Sequence, residues 1–150
     1  MDVHPSHTPD SGDPIVITGI GMIASVGDDR ESVWEAVRNG VTGVRLVGPE
    51  DGMPECLRIA APVFHEPEEP GRLKVISLAL HAAAEALDDA RVYHSGIDFD
   101  RFGCAMSAHM CEIGTGWFGP SAHDPDEGWV DWRTQCLPNS GCSIVANRFG

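Results

Sequence analysis

Apolar and polar positions alternate along this chain in two different ways, short unbroken apolar runs and longer stretches of helical period. Residues 15–20 form a β-branched apolar run between Pro14 and Gly21. No polar face alternates with the apolar one, which predicts a fully buried strand. Residues 1–13 are polar, carry Pro5, Pro9 and Gly12, and have almost nothing to bury, so a disordered tail is expected there. A helix should follow the strand. Asp28 stands three residues before Glu31, the spacing of a capping box. Val33, Trp34, Val37 and Val41 then share one face, and Gly40 supplies a left-handed stop. Residues 44–58, with Gly48, Pro49 and Gly52, read mostly as loop. Residues 59–64 read as a short strand that Pro62 confines to a sheet edge.

The clearest helical period runs over residues 72–91. Leu73, Ile76, Leu80, Ala83, Leu87 and Ala90 recur at spacings of three and four. Ser77, His81, Glu85 and Asp88 form a narrow polar stripe, and Val75, Ala79, Ala82 and Ala86 fill the rest. A helix apolar over most of its circumference must be covered on several sides. His81 is expected to be a satisfied histidine at the edge of that core and not a catalytic base. Residues 102–108 predict a second buried strand, with small residues between large ones where a neighbour approaches closely. Residues 109–141 turn irregular and carry Trp117, Trp129 and Trp132; a loop of that length in a compact domain is usually functional or an interface. Ser140 should cap a last helix over residues 142–149, which Gly150 ends. The order strand, helix, strand, helix, strand, long loop, helix is an α/β pattern.

Composition narrows the function. Ten basic residues against 23 acidic ones give a net charge of −13. That excludes tracking a nucleic-acid backbone, which needs clustered Lys and Arg, and the acidity is expected to serve solubility. No apolar run approaches the ~20 residues of a membrane span. The amino terminus has neither a basic nor an apolar targeting region, so a cytoplasmic protein is expected. The cysteines are Cys56, Cys104, Cys111, Cys136 and Cys142. Their odd number and the lack of a C-x-x-C pair predict buried, reduced, inert thiols. His109 and Cys111 lie close to Cys104 in sequence, but zinc sites use tighter ligand pairs, so no metal is expected.

Gly19, Gly21 and Ala24 match G-x-G-x-x-A after a predicted strand, the fingerprint of a dinucleotide site. Such a turn must open directly into a helix whose N–H groups hold the pyrophosphate. Here Ser25, Val26, Gly27 and Asp28 intervene, and no acid stands at the end of a second strand to bind a ribose. No nucleotide cofactor is expected.

The same residues resemble the opening of a β-ketoacyl-carrier-protein synthase. In that family a β-branched strand runs into T-G-x-G, then a short apolar stretch ending in Gly, then a helix with Trp and a G-x-x-G turn. Thr18 to Gly21, Gly27, Trp34, Gly40 and Gly43 stand in that order here. Residues 82–90 resemble the family's next long helix, residues 98–108 its following strand, and residues 137–150 the helix before its nucleophile. Where the family has a glycine-rich turn after that strand, this chain has Ser107, Ala108, His109, Met110 and Cys111.

The resemblance implies a thiolase-like layered αβαβα fold, of which residues 14–150 supply an incomplete first half, truncated before the nucleophile elbow. It implies decarboxylative Claisen condensation of acyl and malonyl thioesters in fatty acid or polyketide synthesis, by a cysteine thiolate and two histidines with no cofactor. Those catalytic residues fall beyond Gly150, so none is expected in this chain, and the chain alone should be inactive. The implied partners are an acyl carrier protein and a second synthase subunit, as homodimer or heterodimer. Arg72 and Lys74, basic residues at a helix start, are the candidate carrier-protein contact. A non-catalytic ketosynthase-like subunit of the chain-length-factor type is the alternative.

Overall fold

The computed structural model describes residues 12, 14–48, 58–66, 68–107, 135, 137 and 139–150. In chain order its regular elements are α1 (Arg30–Arg38), β1 (Arg45–Leu46), β2 (Ile59–Ala60), α2 (Lys74–Asp89) and α3 (Ser140–Phe149), with 3-10 turns at Val92–His94 and Phe99–Arg101.

Local signals place the helices. Asp29, one residue later than expected, caps α1: its carboxylate accepts from the Ser32 N–H at 2.8 Å, and the Ser32 hydroxyl accepts from the Asp29 N–H at 3.3 Å. The reciprocal box uses Ser32 and not Glu31, because the helix starts at Arg30 and Ser32 is its third residue. Gly40 ends α1 as expected, at φ +67°, with Gly40 N–H bonded to the Val37 carbonyl and Val41 N–H to that of Ala36. That pair of bonds satisfies carbonyls the helix leaves open. Val33 is buried, but Trp34, Val37 and Val41, expected beside it in the core, are exposed.

The strands depart further from expectation. Residues 15–20 form no ladder, and Ile15 and Ile17 are 94% and 84% exposed. Residues 102–107 likewise lie outside any strand and are exposed. A strand exists only with a hydrogen-bonded neighbour, and among the described residues none lies beside either run. The pairing that does form is antiparallel, Arg45 with Ala60 and Leu46 with Ile59, extended by Val47 N–H to the Arg58 carbonyl at 2.8 Å. It puts a strand in the stretch read as loop and shortens the one expected over residues 59–64. The Arg45 guanidinium lies 4.1 Å above the centre of the Phe64 ring.

The small core gathers at the start of α2. Leu73 and Ile76 are each 2% exposed, and α2 packs against α3. Burying a side chain of that size stabilises by roughly 2 kcal/mol. Gln135 closes the α2 entry from far along the chain, accepting from the Leu73 N–H and donating to the Gly71 carbonyl, both at 2.7 Å. The α2 exit leads into the buried Val92, and Tyr93 stacks on Phe99 while its hydroxyl donates to the Phe149 carbonyl at 3.3 Å. Asn139 precedes α3 with no side-chain cap bond, so Ser140 is its buried first residue and not its cap, and Gly150 ends it. The expected tail, except for the turn at Gly12, and the long loop up to residue 134 lie outside the described residues.

Candidate functional site

The polar stripe of α2 is where the described residues concentrate their specific bonds. Three side chains one turn apart, His81, Glu85 and Asp89, each hold backbone of residues 20–30. His81 Nε2 lies 2.6 Å from the Asp28 carbonyl oxygen. A carbonyl only accepts, so this ring nitrogen carries the hydrogen. Glu85 accepts from the Met22 N–H at 2.7 Å and from the Arg30 N–H at 2.9 Å. The second of these places an anion on the first turn of α1, where unsatisfied N–H groups favour negative charge. Asp89 accepts from the Ile20 N–H at 3.0 Å and pairs with the Arg30 guanidinium, which also donates to the Ile20 carbonyl at 3.2 Å.

Electrostatics follow from those bonds. The Arg30 guanidinium and then the Ile20 N–H hold the Asp89 carboxyl below the usual range. Asp29 is likewise held low, chiefly by the Ser32 N–H. His81 is thus engaged with backbone, as expected of a structural histidine. The stripe runs through Asp89, which bonds Ile20 and Arg30, and not, as expected, through Asp88.

Glycine makes this approach possible. A Cβ on Gly19 would run into the Ala86 carbonyl and lie 2.7 Å from the Ala90 nitrogen. One on Gly21 would run into the Ala82 carbonyl and lie 2.7 Å from the Ala86 nitrogen. The two glycines that suggest a dinucleotide turn therefore face the backbone of α2, where a pyrophosphate would have to sit. An Ala24–Gly27 bridge separates them from α1, whose N–H groups bind Glu85 and Asp29 instead.

A cavity of about 390 Å³ opens between α2, α3 and the segment before α2, lined by His65, Arg72, Ser77, His81 and Arg148 among others. The His65 and His81 rings meet edge to face at 5.3 Å. The Ser77 hydroxyl is buried and makes no hydrogen bond, so neither histidine holds it as a general base holds a nucleophile. This cavity was not legible in the sequence, because His65 and Arg148 belong to segments joined only by packing.

Of the candidate carrier-protein residues, Lys74 opens α2 and is half-buried. Arg72 pairs with Glu69, and its N–H bonds the Glu69 carbonyl at 3.2 Å. The two stand at one end of α2 as expected, but Arg72 already has an anion beside it. Cys104 is exposed and Cys142 half-buried, both free, which corrects the expectation of buried thiols. Cys56, Cys111, Cys136 and His109 lie outside the described residues. Among the described residues, no three His, Cys, Asp or Glu gather as for a metal ion, and no helix is long and apolar enough to cross a membrane.

The chain is 31% identical over 116 residues to 3-oxoacyl-[acyl-carrier-protein] synthase 1 of Haemophilus influenzae, an alignment covering 73% of this chain and 26% of that protein. The chain thus spans about a quarter of the length of the curated relative it matches. No protein-family model matches it.

Proposed function

We propose that residues 14–150 are the N-terminal part of a β-ketoacyl-carrier-protein synthase, ending before its nucleophile elbow. The similarity to a 3-oxoacyl-[acyl-carrier-protein] synthase carries this reading, since it extends over most of the chain. Two physical features support it. The apolar run 15–17 is fit for a buried strand and has no strand beside it among the described residues, as expected where the rest of a layered αβαβα fold would cover it. The motif Thr18-Gly19-Ile20-Gly21 has a packing role, because glycine at 19 and 21 lets the segment lie on α2.

In this reading the complete protein condenses acyl and malonyl thioesters in fatty acid or polyketide synthesis. This chain supplies scaffold and one docking edge. The reactive cysteine and two histidines belong to later sequence, so the chain by itself condenses nothing. Its partner is an acyl carrier protein, an acidic protein that Lys74 and Arg72 meet at the start of α2. Charge at such a rim steers encounter more than it adds affinity.

The test is titration of a fluorescent acyl carrier protein with the wild-type chain and an Arg72→Ala, Lys74→Ala double variant. Saturable binding, weakened about fivefold in the variant as for two rim charges, supports the docking edge. Binding with unchanged affinity removes Arg72 and Lys74 from the contact. Absence of any binding by the wild type, or condensing activity of the chain alone, counts against the assignment itself.

A further inference from the structure

Residues 102–107 cross the first turn of α3, and two contacts fix that crossing. The first joins Met106 and Gly141: a Cβ on Gly141 would come within 2.6 Å of Met106 Cε and 3.2 Å of its Sδ, so the missing side chain is what admits the thioether. The second lies beside it. Cys142 Sγ donates to the carbonyl oxygen of Cys104 at 3.1 Å. A disulfide requires the two Cβ atoms within about 4 Å of each other. Cys142 Sγ against the carbonyl of Cys104 brings the two residues side by side.

We propose that Cys104 and Cys142 are a disulfide-forming pair, an oxidation site whose oxidant is hydrogen peroxide or an organic hydroperoxide. Both thiols are free, and Cys104 is open to solvent, so the oxidant reaches the pair without unfolding. One thiolate attacks the peroxide, the O–O bond breaks, and sulfenic acid forms as water or alcohol leaves. The second thiolate attacks that sulfur and the S–S bond forms; hydroxide leaves and takes up a proton. Two thiol hydrogens and two electrons pass to the peroxide. The neighbouring Cys142 thiol holds the Cys104 thiol above the ordinary range. The Cys104 thiolate is therefore scarce near neutral pH, and its oxidation should quicken as pH rises. The product ties residues 102–107 to α3 and closes the chain between them into a covalent loop.

The experiment treats the chain with hydrogen peroxide, blocks remaining thiols with iodoacetamide, and maps linked peptides after proteolysis without reductant. The expected result is loss of two of the five thiols and a Cys104–Cys142 linked peptide. That peptide should exceed every other pairing by about tenfold, the advantage of partners already held in reach. Dithiothreitol should restore the thiols. A Cys104→Ser chain should lose the link, and a Cys111→Ser chain should keep it. Links scattered over Cys56, Cys111 and Cys136, or oxidation of Cys104 and Cys142 to sulfinic acids with no link between them, would overturn the proposal. Mapping on the wild-type chain decides the matter even if a variant fails to fold.

Discussion

Two neighbouring parts of one apolar stretch lead opposite lives in this molecule. Residues 19–22 lie against α2, their glycines facing its carbonyls and their N–H groups held by Glu85 and Asp89. Residues 15–17, more apolar still, stand in solvent with no ladder. Hydrophobicity does not account for the difference, since the more apolar part is the exposed one. What separates them is the supply of partners: α2 brings two carboxylates and a small-residue surface to one, and nothing among the described residues reaches the other. An apolar run by itself specifies that something should cover it, not what.

The sharpest way to break this contrast is to fill the space at Gly21. Gly21→Val should cost about 3 kcal/mol or more, because the side chain collides with α2 backbone, which cannot rotate away as a side chain can. Urea unfolding followed by circular dichroism measures it, and a loss under about 0.5 kcal/mol would mean that the segment does not lie on α2. Glu85→Ala comes next. It strips the acceptor from two N–H groups, Met22 and Arg30, and should cost about 2 kcal/mol.

Acid separates the two regions without mutation of either. Asp89 is held below the usual carboxylate range when folded, so its contribution is present above the unfolded value near 4 and is lost as pH falls toward the lowered folded value. Wild type should therefore be more stable than Asp89→Asn at neutral pH, and the gap should close in acid. A gap that widened as pH falls would reverse the assigned direction. The smallest effect belongs to the free run: Ile17→Lys should change stability by no more than about 0.5 kcal/mol while reducing binding of a dye specific for apolar surface. A large loss would show Ile17 buried in solution.

The same contrast explains what was legible in the sequence. α2 was expected over residues 72–91 and spans Lys74–Asp89, because its period is written locally. Gly40 ends α1 for an equally local reason. Asp29 replaces Asp28 as cap by a shift of one residue, within the usual play of helix ends. Strands carry no such local instruction. The runs at 15–20 and 102–108 look like strands and are unpaired among the described residues, whereas Arg45–Leu46 sits in a loop-like stretch and pairs because Ile59–Ala60 arrives beside it. The bonds from His81, Glu85 and Asp89 to residues 20–30 were hidden for the same reason. The stripe was visible, but what it holds lies more than fifty residues away. Arg72 and Lys74 lie at the start of α2, where the helical period put them, while the Glu69 partner of Arg72 emerged only from the fold.

The proposal that these residues open a β-ketoacyl synthase is decided by sequencing the transcript past the codon for Gly150. The reading frame should continue. It should soon encode a cysteine between a strand-like apolar run and a helix, with two histidines further on. A frame that continues with another residue at that elbow would favour the non-catalytic subunit. A stop codon, or sequence with neither the elbow nor the histidines, would contradict the claim.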